Sequence, residues 1–162
     1  MSTHSSPALG HGSSNIRIKV ILLTLVLAVI AFFLSPNAPF GAFWAPGPDV
    51  PIPSAGQLPL FILLNIAEAL AFGLGLSFLI FGYPALQAIA PASPLLTRAA
   101  HLSIVWLMAN WWPHDSLHLH NGLALNGLLG IEYGFHVTLM LTGVILAYFF
   151  LTLQRRSATA QR

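Results

Sequence analysis

Four long apolar segments, interrupted by almost no charge, constrain this chain more than any motif in it. They run from about Ile16 to Leu34, Leu58 to Tyr83, Leu95 to Trp112 and Ile131 to Leu153. Each approaches the roughly 20 residues that a helix needs to cross a hydrocarbon core. Only 6% of the 162 residues are charged and 56% are hydrophobic, with a mean hydropathy of +0.79. A water-facing surface cannot be built from so few charges. The expected fold is therefore an all-α integral membrane protein, multi-pass in the plasma membrane, with four transmembrane helices in an up-down-up-down bundle.

The chain divides accordingly. Residues 1–15, MSTHSSPALGHGSSN, are rich in Ser, Gly and His and are expected to form a disordered tail in which His4 and His11 are incidental. A single membrane domain then spans 16–153, followed by a basic tail, 154–162. The first apolar run has the character of a signal peptide, but the following SPNAPFGAFWAPG puts Pro, Phe or Trp where a small-x-small cleavage site is required. It is expected to remain as the first span. Pro59 suits a first helical turn, Pro84 is expected to stop the second helix, and Pro113 to close the third.

Charge orients the spans. Arg17 and Lys19 precede the first, Arg98 begins the third, and Arg155, Arg156 and Arg162 follow the fourth, so all six basic residues fall on one side. By the positive-inside rule that side is cytoplasmic, as are both termini. Loops 36–57 and 113–130 then face the periplasm or exterior, and Trp44, Trp106, Trp111, Trp112 and Tyr133 lie near that boundary, where amphipathic rings are favoured. The excess of base behind the pI of 9.5 is thus a topology signal. No basic patch with interleaved aromatics points to nucleic acid. The first outer loop is dense in proline and is expected to be either a cap over the bundle or a spacer.

Two groups of polar residues stand out against this background, because an ionisable side chain inside a bilayer is costly unless paired or wet. At 1.5 Å per residue, Glu68 lies roughly 14 Å and His101 roughly 16 Å from the outer ends of their helices. A Glu68–His101 contact, with Asn65 one turn above Glu68, would satisfy both as a structural hydrogen bond or as part of a proton pathway. Alongside them, rows of small residues in the second segment, Ala67, Ala71, Gly75 and Ala69, Gly73, Ser77, predict close approach of helices on both of its sides.

The second group gathers at the outer mouth. In NWWPHDSLHLHNG, Asn110 to Gly122, His114 and His118 share a face if a helix continues past Pro113, whereas His118 and His120 share a side if the segment is extended. Asp115 adds a carboxylate, and Glu132 and His136 sit i,i+4 at the start of the fourth segment. With no cysteine in the chain, His114, Asp115, His118, His120, Glu132 and His136 form an imidazole and carboxylate donor set that suits a divalent transition metal such as Cu, Zn or Fe. Six donors exceed one tetrahedral site, so some are expected to orient ligating rings from behind or to hold a second ion.

The same histidines also suit an interface that merely faces water and headgroups. Haem b fits less well, since His136 lies only roughly 8 Å in and does not match the depth of His101. NGLALNGLLG between the two flanks carries turn signals and reads as a re-entrant hairpin over the cluster or as an irregular extension of the fourth helix. No zincin, P-loop, dinucleotide or nucleophile-elbow motif is present. The expected function is metal binding at the outer face, for redox or hydrolytic chemistry or metal handling. The alternatives are a non-catalytic subunit of a larger membrane complex, beside other subunits or its own copies, and a proton or ion pathway using Glu68 and His101.

Overall fold

A computed structural model describes residues 11–89 and 93–160 of the chain. Among the described residues there is no strand. The helices are α1 (His11–Leu34), α2 (Leu58–Ile89), α3 (Pro94–Ala109), α4 (Trp111–Asn121), α5 (Leu125–Ile131) and α6 (Thr138–Ala160). A short 3-10 turn, Gly41–Trp44, interrupts the proline-rich loop, and a π-helical turn, Glu132–Val137, joins α5 to α6. Three helical stretches are long and apolar enough to cross a membrane: 15–34, 58–89 and 125–159.

Local chemistry sets the boundaries. Ser54 and Gln57 form half of a capping box ahead of α2, the Gln57 side-chain oxygen accepting from the Ser54 backbone N–H at 3.0 Å. Ser93 caps α3 by accepting from the Leu96 N–H at 3.2 Å, with Pro94 at the first helical position. The first helix begins at His11, ahead of the expected Ile16, while His4 lies outside the described residues.

Two proline expectations fail. Pro84 is contained within α2, which continues to Ile89. One lost backbone bond is outweighed by packing two residues further on, because Leu86 is buried against Ala100 of α3 and Phe149 of α6. Pro113 likewise does not end the third segment. Asn110 does, its buried side-chain amide donating back to the Trp106 carbonyl. Pro113 sits instead in the first turn of α4, where no intrahelical N–H is needed. The stretch expected as loop 113–130 is therefore largely helix.

The helices pack as a row, α1 on α2, α2 on α3 and α3 on α6, without a substantial contact closing α6 back onto α1. Close approach depends on small residues in α2. A methyl group on Gly73 would lie 2.4 Å from the Thr24 carbonyl oxygen of α1, and one on Gly75 would lie 2.8 Å from the Ala109 methyl of α3. Ser77 accepts from the Thr24 hydroxyl at 3.0 Å. Both faces of α2 are thus occupied as the small-residue rows imply, except that Ala67 is exposed. Large apolar side chains point outward, including Ile80, Met140, Val144 and Leu151.

Short α4 folds over one end of this row. Trp112 is buried among Ala28 and Ala31 of α1 and Ala69 of α2, with Phe32, Trp44 and Phe72 packed around it. Its indole N–H donates to Ser35 at 2.9 Å, and Ser35 lies 2.7 Å from the Asn65 side-chain oxygen. The proline-rich loop closes the far end of α4. Gly47 N–H donates to the Leu119 carbonyl at 2.9 Å, and Asp49 accepts from the Leu123 N–H at 2.6 Å, just past Gly122. Gly122 ends α4 at φ +57°, a conformation favoured by glycine, and leaves room for the Asp49 carboxylate. The loop is a cap.

Candidate metal centre

Helical α4 puts His114 and His118 one turn apart on one face, with ring centroids 4.6 Å apart. The π-turn supplies the third imidazole. His136 Nε2 lies 3.1 Å from His114 Nε2, and the three rings bring one nitrogen each within 4.8 Å of one another. A π-turn inserts an extra residue into helical winding and re-aims the side chains it carries, a feature common at functional sites.

The other nitrogen of two of these rings is already committed. His114 Nδ1 is 2.6 Å from Asp115 Oδ1, and His136 Nδ1 is 2.5 Å from Glu132 Oε2. A carboxylate accepts, so in each case Nδ1 carries the proton, and in the neutral ring Nε2 is the nitrogen that presents a lone pair. Two lone pairs facing each other at 3.1 Å repel unless a proton or a cation lies between them. Two metal–nitrogen bonds of about 2.0–2.1 Å meeting at a tetrahedral angle would separate the nitrogens by about 3.3 Å. The His114–His136 pair is close to this spacing, and the three-histidine group could hold a metal ion.

The surroundings are partly dry. His114 is 8% exposed, with Trp111 and Phe135 against its ring. Burial, and then the neighbouring His114, hold the His118 imidazole below its ordinary pKa, against the opposing pull of Asp115 and Glu132. His118 therefore stays neutral, and able to ligate, at lower pH than a free imidazole.

The expected residues do not all meet. His114, His118 and His136 come together, and Asp115 and Glu132 stand behind two of them. His120 does not join them. It is exposed, and its Nδ1 pairs with the Ala45 carbonyl at 3.0 Å, because the two helical steps from His118 turn it to the opposite side, toward the proline-rich loop.

The expected Glu68–His101 pair is replaced by two separate arrangements. His101, 6% exposed, sets its Nε2 2.9 Å from the Phe78 carbonyl, between the rings of Phe78 and Tyr83. Glu68 instead reaches the histidine cluster, its carboxyl in hydrogen-bond contact with Asp115. Asn65 faces Ser35. Matching depth along two helices misplaces the pair because α4 folds back over α2 and brings Asp115 to Glu68. Glu68, Asp115, His114, His136 and Glu132 consequently form one continuous polar chain.

Further residues around the centre carried little sequence signal. Ser35 looks like an ordinary helix end. Thr138 is inconspicuous within an apolar run, Trp106 reads only as a boundary aromatic, and Asp49 is the single charge of the first loop.

Fold and site together define a helical protein with membrane-length helices and a three-histidine group able to hold a metal ion. No protein-family model, curated protein or solved structure matches the chain.

Proposed function

We propose that this chain is a multi-pass membrane protein that binds a divalent transition metal through His114, His118 and His136. The single observation that carries this reading is the 3.1 Å approach of two Nε2 atoms whose rings both have Nδ1 engaged by a carboxylate. Three imidazoles suit Zn, Cu or Fe, and three protein ligands leave a fourth position free for water or substrate. Redox, hydrolytic and metal-handling roles all use such a site. In the bilayer, α1, α2, α3 and α6 form four spans, with both termini cytoplasmic and α4 and the metal centre at the periplasmic or extracellular surface. Metal analysis of detergent-purified protein tests the reading. About one Zn, Cu or Fe per chain, lost from a His114→Ala/His136→Ala double variant, is the expected result; equal metal content in both proteins would overturn it.

A second reading, as a subunit of a larger membrane complex, draws on α6, which packs mainly on α3 and presents Met140, Leu141, Val144 and Leu151 outward. Copurification of stoichiometric partner chains under mild detergent would favour it, and it is compatible with a metal centre.

A further inference from the structure

The π-turn that carries His136 is not held by backbone hydrogen bonds alone. The Thr138 N–H donates to the Phe135 carbonyl, three residues back, and so does not serve the Gly134 carbonyl as it would in a regular α-helix. The Thr138 hydroxyl takes that role, with Oγ1 2.7 Å from the Gly134 oxygen. Oγ1 also lies 3.0 Å from the Phe135 oxygen, but a hydroxyl has one proton, and the Phe135 carbonyl already receives the backbone N–H. A lone pair of Oγ1 accepts from the indole N–H of Trp106 on α3 at 2.9 Å. Trp106 in turn stacks on Phe135 at 5.6 Å between centroids, and Phe135 packs against the His114 ring.

From this arrangement we infer that Thr138 and Trp106 are positioning residues for the metal centre: they hold the wide turn open and so aim His136 Nε2 at His114. An unsupported Gly134 carbonyl favours relaxation of the turn to regular α-helix, which rotates His136 relative to α6. The first effect is on His136, and Glu132, on the same turn, follows it. Thr138 and Trp106 touch no ligand nitrogen themselves; they act through the backbone and through Phe135. This inference rests on the metal-binding reading for its consequence, but its geometric part concerns the two rings alone.

The two parts are separated by measuring both in detergent-purified full-length protein. Thr138→Val keeps the shape of the side chain and removes the hydroxyl, Thr138→Ser restores it, and Trp106→Phe removes the indole donor. Zn(II) affinity by competition titration and the visible spectrum of the Co(II)-loaded protein report ligation. Histidine-selective nitrogen NMR in micelles without metal reports the His114–His136 contact. Thr138→Val is expected to weaken Zn(II) binding by about 10–100-fold, the range for groups that orient ligands from behind. It should shift the Co(II) spectrum toward that of His136→Ala, with Thr138→Ser recovering the wild-type values and Trp106→Phe falling between. Thr138→Val with wild-type affinity and unchanged ring signals would overturn the inference, as would failure of Thr138→Ser to rescue. If wild-type protein binds no metal while Thr138→Val still displaces the His136 signals and Thr138→Ser does not, positioning stands and the metal reading falls.

Discussion

His114 and His136 meet Nε2 to Nε2 at 3.1 Å although they lie 22 residues apart and on different helical elements. Each is backed by its own carboxylate, Asp115 behind His114 and Glu132 behind His136. The two flanks of one helical excursion therefore bring matching imidazole–carboxylate pairs together, and neither half is expected to hold an ion by itself.

Removal of either half should accordingly be sufficient. His118→Ala and His136→Ala are each expected to lower Zn(II) occupancy sharply, whereas His120→Ala, whose ring is engaged with the Ala45 carbonyl, should retain it. Elemental analysis after dialysis against a weak chelator reads the outcome. Unchanged occupancy in His136→Ala would confine any site to α4.

The carboxylates should matter without being ligands. Glu132→Gln leaves the size of the side chain but weakens its hold on His136 Nδ1, and a loss of about 10–100-fold in metal affinity is expected. Isothermal titration compares the variants. A complete loss equal to that of His136→Ala would make Glu132 a direct ligand.

His118 is expected to contribute to the pH dependence of the metal-free fold near neutral pH. Its pKa in the folded protein lies below the ordinary value of 6.5, chiefly through burial and then through His114. The unfolded chain therefore takes up a proton first as pH falls below about 6.5, and the folded state loses stability from there down to the lowered pKa. Above about 6.5 both states are neutral and this group adds no slope. Thermal unfolding in chelator across the range from neutral to mildly acidic pH should show a falling midpoint that His118→Asn flattens. An equally steep fall in His118→Asn would remove His118 as its source.

Packing of α1 on α2 should tolerate no methyl group at residue 73. Gly73→Ala places a carbon in the space occupied by the Thr24 carbonyl, and overpacking of this kind costs about 1–3 kcal/mol. Gly143→Ala, where nothing lies within 4 Å, should be neutral or stabilising by up to about 1 kcal/mol. Denaturation in mixed micelles ranks the two, and equal stability would mean that the helices do not approach as closely as the structure has them.

The orientation proposed for the bilayer is checked by reporter fusions. Fusions after residues 45 and 122 should read as external, and those after 90 and at the C-terminus as cytoplasmic. A cytoplasmic signal after 122 would place the histidine centre on the opposite side.

Much of this molecule was legible in its residues taken one segment at a time. Low charge and long apolar runs are summed properties, so they identify helices of membrane length without knowledge of any contact. Gly73 and Ser77 on one side and Gly75 on the other marked the two faces of α2 that receive neighbours, because only small side chains admit a second backbone. The i,i+4 spacing of His114 and His118 is likewise local, and became a shared face once α4 formed.

Tertiary structure decided what local spacing cannot. Pro84 and Pro113 look like stops by their own chemistry, yet burial of Leu86 against other helices outweighs the one backbone bond lost at Pro84, and Pro113 falls in the first turn of a new helix anchored by buried Trp112. Depth along separate helices paired Glu68 with His101, but depth says nothing about rotation or about a short helix folding back, and it is α4 that delivers Asp115 to Glu68. His120, His118 and His114 are alike as residues; a helix rotates about 100° per step, so two face His136 and the third faces Ala45. The π-turn is the least local feature of all, since the hydroxyl and indole that support it lie outside the turn, and one of them is on another helix.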